Sequence, residues 1–160
     1  MAEFIRKATE RDFPAIDSIL VQESEYHIEL EPDWMTDRSG IDQSVYDEYL
    51  SASDKEILVC EREGIPVGVI QLSIGAGGDP GMKYQPFGSV DEIAVAEHCR
   101  GQGIGNKLML AAESWAMENE LKMLRLEVWS KNQRAIGLYK KHKFEVIRHR
   151  MFREINDDDT

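Results

Sequence analysis

The chain has 160 residues, and 19 Lys and Arg against 30 Asp and Glu give a formal net charge of −11. This length favours a single domain, and an apolar fraction of 42% argues against disorder. No stretch approaches the ~18 consecutive apolar residues of a membrane span, and the acidic excess argues against a nucleic-acid partner. No basic segment followed by an apolar stretch opens the chain, so we expect no signal peptide. Its two cysteines lack zinc spacing, which favours reduced thiols, no metal and a cytoplasmic location.

The charge is distributed unevenly along the chain. Residues 23–54 contain ten acidic residues and one basic residue, whereas residues 131–153 contain eight basic residues and one acidic residue. Such asymmetry is typical of a protein with ligands of opposite sign or of two segments that attract each other, and solvated faces explain it equally well. Residues 156–160 are mostly acidic and predict a tail that follows one domain of residues 1–155.

Hydrophobic periodicity predicts the elements of the N-terminal half. We expect a strand at 4–8, a helix that is capped by Thr9 and ends in the low twenties, and a loop or broken helix at 25–40. A short helix near 45–50 follows, and strands at 56–62 and 66–74 predict an antiparallel hairpin. The glycine-rich connection that comes next is expected to act as a lid or a dimer contact, through Asp79, Met82, Tyr84 and Phe87.

The C-terminal half alternates strands and helices. A strand at 88–96 precedes a helix from about 103, in which Ile104, Leu108, Ala111 and Trp115 recur at helical spacing. A strand at 122–129, a helix at 132–142 and one or two closing strands at 144–155 complete the chain. The order predicts an α/β (α+β) fold in which helices flank a mixed sheet.

A glycine-rich loop, Arg100-Gly101-Gln102-Gly103-Ile104-Gly105, stands between a predicted strand and a predicted helix. Glycines at a helix N-terminus let the backbone approach a ligand, and the free N–H groups attract phosphate. The spacing differs from the dinucleotide fingerprint, and no Gly-Lys-Ser/Thr follows as in a nucleoside-triphosphate loop. A pyrophosphate is the ligand we expect, with a glycine turn that binds nothing as the alternative.

A second motif follows one helix and one strand later, in Asn132, Ala135, Leu138-Tyr139 and Phe144. Together with residues 90–105, it resembles the GCN5-related N-acetyltransferase (GNAT) superfamily. Arg100, Gly103 and Gly105 match the R/Q-x-x-G-x-G/A loop of that family, and Lys143 stands where the family has glycine. The resemblance covers about residues 55–155.

This resemblance implies a mostly antiparallel central sheet of six to seven strands with a splayed pair, flanked by about four helices. It also implies acetyl-CoA as co-substrate, with its pantetheine arm beside residues 92–96, the Val95 N–H on the thioester oxygen and the pyrophosphate on the glycine loop. The basic cluster Lys131, Arg134, Lys140 and Lys141 is either a 3′-phosphate contact or solvated surface. The cofactor-binding positions implied are Ile93, Ala94, Val95, Arg100, Gly101, Gln102, Gly103, Ile104, Gly105, Asn132 and Tyr139.

The resemblance implies direct attack of a primary amine on the thioester in a ternary complex. Tyr139 matches the family's tyrosine, which reaches the CoA sulfur as a general acid, and a merely buried tyrosine is the alternative. Glu92 and Glu127 compete for the role of general base, and Glu92 is slightly favoured. Cys99 is not expected to act as a nucleophile, since nothing pairs it with a histidine base.

In this superfamily the acceptor site is built largely from the first two helices and their loop, which correspond here to the acidic segment. Carboxylates and aromatic faces favour a cationic acceptor: a polyamine, an aminoglycoside, a lysine or a protein N-terminus. The substrate-binding candidates are Glu25, Tyr26 and Trp34. A homodimer is compatible with the sequence. The alternative function is a non-catalytic acyl-CoA-binding sensor or regulatory module of the same fold.

Overall fold

The computed structural model describes residues 2–37, 39–75, 81, 83 and 85–156, and the features below are those of the described residues. Asp79, Met82, Tyr84 and the tail residues 157–160 lie outside them. Short 3₁₀ turns occupy Glu10–Asp12 and Glu97–Cys99. The helices and strands are β1 (Glu3–Lys7), α1 (Phe13–Leu30), α2 (Gln43–Ser51), β2 (Lys55–Arg62), β3 (Ile65–Gly75), β4 (Phe87–Val95), α3 (Ile104–Glu118), β5 (Leu124–Arg125) and α4 (Gln133–Lys141).

One sheet organises the molecule, with strand order β1-β2-β3-β4-β5. The first four strands are antiparallel, with Val59 opposite Val69 and Ile70 opposite Ile93, and β5 runs parallel to β4. The β2–β3 hairpin turns through Glu63 and Gly64, both at positive φ. The predicted hairpin is therefore confirmed.

The core lies between the sheet and its helices. Ile16 of α1, Val69 of β3 and Leu108 of α3 are fully buried. At Gly68 a Cβ atom would lie 2.6 Å from Ile104, so the missing side chain lets α3 pack directly on β3. No helix in the described part of the chain is long and apolar enough to cross a membrane.

Helix α1 differs from the sequence prediction at both ends. It begins at Phe13, because Thr9 and Asp12 form a capping box around the preceding 3₁₀ turn, and it continues to Leu30. The prediction of a loop from residue 25 is wrong for the first six residues. Helical spacing brings His27 to Glu23, with Nε2 3.4 Å from Oε1, and this pair supports the extra turns. The loop begins only near Pro32.

The sheet has five strands in the described residues, and not the six to seven that were expected. The predicted strand at 122–129 is reduced to Leu124–Arg125, which pair with Gly88 and Ser89 of β4. The predicted closing strands at 144–155 are absent, since no residue from 144 to 156 is assigned to a strand. The apolar alternation is present in both places, but among the described residues only Leu124 and Arg125 form a ladder with a neighbouring strand.

Candidate active site

Strand β4 contains a β-bulge that sets the geometry of the site. Gln71 of β3 lies opposite Glu92, but the next residue, Leu72, lies opposite Val90, so Asp91 is the extra residue. A bulge of this kind re-aims the side chains that follow it. The Tyr49 hydroxyl donates a hydrogen bond to Asp91 Oδ2 at 2.7 Å and fixes the bulge from outside the sheet.

Beyond the pairs of Gly88 with Leu124 and Ser89 with Arg125, β4 and β5 separate and open a cleft of about 420 Å³. Both predicted bases, Glu92 and Glu127, line this cleft. Gln102 is the one predicted cofactor contact that does not. The predicted cofactor-binding residues in the lining are Ile93, Ala94, Val95, Arg100, Gly101, Gly103, Ile104, Gly105, Asn132 and Tyr139.

The glycine loop has the backbone geometry that its sequence predicts. Gly101 and Gly103 adopt φ values of +73° and +84°, a region that L residues with a Cβ rarely occupy. A Cβ at either position would meet no protein atom within 4 Å, so the space in front of the loop is open. Gly103 is the N-cap of α3, whose first N–H groups have no partner inside the helix. Loop and helix together form a cradle for an anion.

The two long side chains of the loop turn away from this cradle. Arg100 donates through Nε to the Val95 carbonyl at 3.2 Å, and its Nη2 lies 3.4 Å from Glu23 Oε2. Gln102 accepts a hydrogen bond from Arg62 at 2.7 Å and donates to the His98 carbonyl at 3.2 Å. The phosphate-binding capacity of the loop therefore lies in its backbone.

Strand β4 directs the N–H group of Val95 toward the cleft. The Ala96 N–H donates to the Val67 carbonyl of the β3 side at 2.9 Å. Because successive residues of a strand alternate in direction, the Val95 N–H points to the opposite edge, where β5 has already separated. Arg100 holds the Val95 carbonyl on that same edge. The donor expected to hold a thioester oxygen thus faces the cleft.

Helix α4 brings Asn132 and Tyr139 to the cleft. Asn132 is buried and caps the helix, because its Oδ1 accepts a hydrogen bond from the Ala135 N–H at 3.1 Å. Tyr139 is also buried, with its ring 5.8 Å from that of Phe144. Burial raises the pKa of Tyr139 well above its ordinary value. The phenol is therefore protonated throughout the physiological range.

The two candidate bases lie in different environments. Burial raises the pKa of Glu92 to about 7, although the nearby charge of His27 and the Ile93 N–H favour the carboxylate. The Glu127 side chain is 81% exposed and pairs with Arg150 at 3.1 Å. A base with a pKa near neutrality is well matched to proton transfer at physiological pH. The environment of Glu92 therefore favours it over Glu127 on physical grounds.

The structure adds Glu23 and His27, which the sequence analysis did not select. Glu23 is buried and lies 3.4 Å from His27, 3.4 Å from Arg100 and 3.2 Å from Arg134. Burial opposes its charge, but these partners keep its pKa below the ordinary value, and Glu23 in turn raises the pKa of His27. The signal in the sequence was the i, i+4 spacing of the two residues, hidden by the predicted end of α1.

A smaller cavity of about 160 Å³ adjoins the cleft between α1, β3 and β4. Glu23, His27 and Glu92 line both spaces, so the two spaces are adjacent at these side chains. Gln71 of β3 closes the smaller cavity on the sheet side. This arrangement places the raised-pKa carboxyl of Glu92 between a long cleft and a small polar chamber.

The predicted substrate-binding residues lie beside the cleft, outside its lining. The ring of Tyr26 is covered by Arg134, whose guanidinium carbon is 4.0 Å from the ring centroid. Trp34 is 49% exposed and its ring lies 5.1 Å from that of Phe152. Glu25 is half-buried on α1. A cationic ligand would find the Tyr26 ring already occupied by a cation of the chain.

The acidic and basic segments attract each other, as one of the sequence interpretations proposed. Arg134 pairs with Glu23, and Lys131 Nζ lies 3.4 Å from Glu31 Oε2. Lys140 and Lys141 are exposed, and their role at a 3′-phosphate stays a prediction. No group of His, Cys, Asp and Glu within the described ranges is arranged to hold a metal ion.

Comparison with known proteins identifies the class. A model of the acetyltransferase (GNAT) family matches residues 9–144. The chain therefore belongs to the acetyltransferase (GNAT) family, and the resemblance noted in the sequence is confirmed. Its class is that of the GNAT-type N-acetyltransferases, enzymes that use acetyl-CoA.

Individual relatives support the same class. The uncharacterized N-acetyltransferase YhfO of Bacillus subtilis is 27% identical over 153 residues, covering 88% of this chain and 89% of that protein. A mutant BH1408 protein from Bacillus halodurans has a TM-score of 0.87 at 20% identity, covering 96% of this chain and 99% of that one. The aminoglycoside N-acetyltransferase AAC(6')-Iy, solved with CoA, has a TM-score of 0.74 at 15% identity, with coverage of 96% and 99%. At such identities the solved structures establish the fold alone.

Proposed function

We propose that this protein transfers the acetyl group of acetyl-CoA to a primary amine by direct attack in a ternary complex. The observation that carries the proposal is the meeting of Glu92, Tyr139 and the glycine loop at one cleft. These residues come from β4, α4 and the start of α3, and the fold brings them together where β4 and β5 separate.

The cleft fits acetyl-CoA on its own geometry. The open space before Gly101 and Gly103 and the first turn of α3 suit a pyrophosphate. The Val95 N–H, on the separated edge of β4, suits a developing oxyanion. When bound, acetyl-CoA supplies the activated acyl group. Asn132 contacts the cofactor arm through its amide group, whose oxygen already accepts the hydrogen bond that caps α4.

Two side chains manage the protons. With a pKa of about 7, Glu92 takes a proton from the incoming ammonium and leaves a neutral amine. Tyr139 holds a proton in a buried position and donates it to the leaving sulfur. The second proton, which the nitrogen loses as the amide forms, restores the phenol. The Glu127 side chain is 81% exposed and pairs with Arg150, so it lacks the desolvated environment of Glu92. We therefore assign the base to Glu92 and the acid to Tyr139.

The acceptor is proposed to be a primary amine that is cationic in solution. His27, Arg100 and Arg134 surround Glu23 and offset its charge, which leaves Asp91 and Glu92 to face an ammonium in the cleft. The aminoglycoside N-acetyltransferases among the structural neighbours are consistent with an amine acceptor. Polyamines, aminoglycosides, lysine side chains and protein N-termini remain the classes to screen.

Thermal unfolding with saturating acetyl-CoA, with NADH and ATP as controls, tests the cofactor site. A ligand at about a hundred times its dissociation constant adds about 2.7 kcal/mol to the unfolding free energy, which raises Tm by roughly 5–10 °C. No shift with acetyl-CoA, or a larger shift with NADH or ATP, would mean that the cleft has been misassigned.

Free-thiol release with an amine panel separates the enzyme from the alternative, an acyl-CoA-binding sensor of the same fold. Stabilisation by acetyl-CoA without thiol release for any amine would favour the sensor. For an active pair, Tyr139→Phe is expected to lower kcat about a hundredfold or more and to leave acetyl-CoA affinity nearly unchanged, because the hydroxyl acts on the leaving group. Equal losses in both quantities would contradict the general-acid role.

A further inference from the structure

The small polar chamber, the cavity of about 160 Å³ between α1, β3 and β4, holds a side chain that the proposed chemistry does not use. Gln71 lines this chamber and is only 7% exposed. No hydrogen bond among the described residues involves its side chain, and every fully buried side-chain nitrogen or oxygen there has a partner, so the Gln71 amide is open to the chamber. Such an amide costs free energy unless something in the chamber binds it. Gln71 therefore marks the chamber as a binding site.

Gln71 stands beside the proposed base. It lies opposite Glu92 in the antiparallel pairing of β3 and β4, and both side chains line the chamber. Directly opposite residues have Cβ atoms about 5 Å apart on one face of a sheet. Because glutamine and glutamate have the same length, the amide reaches a group next to the one that meets the carboxyl. A ligand that contacts both therefore carries two polar groups on neighbouring carbon atoms.

The wall of the chamber opposite the sheet limits what can enter. Ser24 Oγ accepts a hydrogen bond from the Ser39 N–H at 3.0 Å and donates one to the Asp37 carbonyl at 3.2 Å. Asp17 Oδ1 accepts from the Ile41 N–H at 2.9 Å, so the segment after α1 is tied to this helix at several points. A volume of about 160 Å³ is also below the roughly 300–1,000 Å³ of pockets for drug-sized ligands. The chamber therefore admits a small group, and not a peptide that has to continue through it.

The charges around the chamber favour a neutral group beside the amine. Glu23 already has three cationic side chains around it, so it has little attraction left for a second ammonium. A carboxylate on the ligand would face both Glu23 and Glu92. Among small neutral groups, a hydroxyl both donates and accepts hydrogen bonds, which matches the N–H and C=O groups of the Gln71 amide.

We propose that the chamber is the acceptor subsite and that it takes a primary amine with a hydroxyl group on the neighbouring carbon, a 1,2-amino alcohol. The amine lies at Glu92, the hydroxyl group bonds to the Gln71 amide, and Leu20 and Met35 offer apolar contact to the carbon atoms. This inference rests on the proposed function. It sets aside polyamines and lysine side chains, whose amines adjoin only methylene groups, and it makes Gln71 a specificity-determining residue.

Free-thiol release from acetyl-CoA with 2-aminoethanol and with propylamine tests the proposal, because the two amines differ only in a hydroxyl against a methyl group. We expect kcat/KM to be about 10–100 times higher for 2-aminoethanol, since propylamine leaves the buried amide unpaired. Rates are compared at equal concentrations of neutral amine, because the hydroxyl group also lowers the basicity of the amine. Glycine, with a carboxylate beside the amine, and 1,4-diaminobutane, a polyamine, should both be poorer acceptors than 2-aminoethanol.

Gln71→Met removes the amide at nearly the same side-chain length. The preference for 2-aminoethanol over propylamine should then fall to about threefold or less. Because the amide has no partner among the described residues, Tm should not decrease, and a persisting thermal shift with acetyl-CoA shows that the variant is folded. Gln43→Met is the matched control, since Gln43 is exposed on α2 outside the chamber, and it should keep the preference of the wild type.

Several results would overturn the proposal and leave acetyl transfer intact: equal kcat/KM for the two amines, a preference for glycine or 1,4-diaminobutane, or thiol release with other amines but none with 2-aminoethanol. A preference that survives Gln71→Met, or a lower Tm in that variant, would likewise contradict the role of the amide. Stabilisation by acetyl-CoA without thiol release for any amine would contradict the proposed function as well, so the two failures are distinguishable.

Discussion

Three glutamates around one cleft show how the surroundings of a residue decide its chemistry. Glu23 is buried among three cationic groups, which hold its pKa low and keep it charged. At Glu92 desolvation outweighs the nearby charge of His27 and the Ile93 N–H, and the pKa rises to about 7. Glu127 is exposed beside Arg150. Of the three, Glu92 alone combines burial, a raised pKa and a place on the separated edge of β4.

Glu92→Gln is expected to lower kcat by about 10²–10³ and to leave acetyl-CoA affinity nearly unchanged, because the amide cannot accept the proton. It is also expected to raise the free energy of unfolding at pH 8 by about 2 kcal/mol, since the buried charge is removed. Steady-state kinetics and urea unfolding measure the two effects. Glu127→Gln is the control and should change both quantities little. A larger loss of kcat in the control would move the base to Glu127.

At the scale of the element, the glycine loop requires positive φ angles at the point where a ligand must approach the backbone closely. Gly103→Ala forces a Cβ onto a residue at φ +84° and into the open cradle, so we expect about a tenfold loss of acetyl-CoA affinity. Gly137→Ala in α4 also meets no atom within 4 Å, but without a positive φ it should leave affinity unchanged and stabilise the helix slightly. Titration calorimetry distinguishes the two. Equal affinities for both variants would remove the loop from the cofactor site.

Lys143 shows the cost of replacing a glycine at the end of a helix. It adopts φ +63° after α4, where the Phe144 N–H donates to the Tyr139 carbonyl at 3.0 Å in the manner of a C-terminal cap. Lys143→Gly should stabilise the protein by about 1 kcal/mol, or roughly 2–4 °C in Tm, by removing the left-handed strain. Lys141→Gly, inside the same helix, should destabilise it by about as much. Thermal denaturation measures both changes in Tm, and a lower Tm for Lys143→Gly would contradict the left-handed strain at this position.

The elements that the sequence predicts well are those whose signal is local. The glycine loop, the periodic apolar face of α3 and the hairpin of β2 and β3 depend on neighbouring residues, and all three are present. The end of α1 was missed because Pro32 and the surrounding carboxylates outweighed a single Glu23–His27 pair. The strands at 122–129 and 144–155 were overestimated because alternation specifies a face, whereas a strand also needs a partner. The buried cluster around Glu23 joins residues from three distant parts of the chain, and no local pattern contains it.

At the scale of the whole molecule, the free energy of unfolding should decrease as pH rises from mildly acidic to mildly alkaline values. The pKa of Glu92 is about 7 in the folded protein against 4.5 for an ordinary glutamate, so its unfavourable charge develops as pH rises between those values. His27 has a raised pKa, and its stabilising charge is lost as pH rises above the ordinary histidine value. The Arg6 hydrogen bond lowers the pKa of Asp12 to about 2, so its contribution is lost only in acid.

We therefore expect the free energy of unfolding to peak near pH 5 and to fall by about 3 kcal/mol by pH 8. Urea unfolding across this range measures the slope. Glu92→Gln and His27→Gln should each flatten the alkaline side, whereas a variant at exposed Glu127 should not. An unfolding free energy that rises between pH 5 and pH 8 would contradict the raised pKa values of Glu92 and His27.

The extra residue in β4 has a consequence for how the enzyme can change. Because Asp91 is the extra residue, Val90 and Glu92 lie opposite neighbouring residues of β3, and their side chains face opposite sides of the sheet. Removing Asp91 alone would keep Glu92 opposite Gln71 and Val90 opposite Leu72, so the side chains from Glu92 to Val95 would keep their faces and only the local bend of β4 would be lost. Removing or inserting a single residue within 92–95 would instead exchange faces, so a change in the length of β4 is compatible with the proposed role of Glu92 only at the bulge.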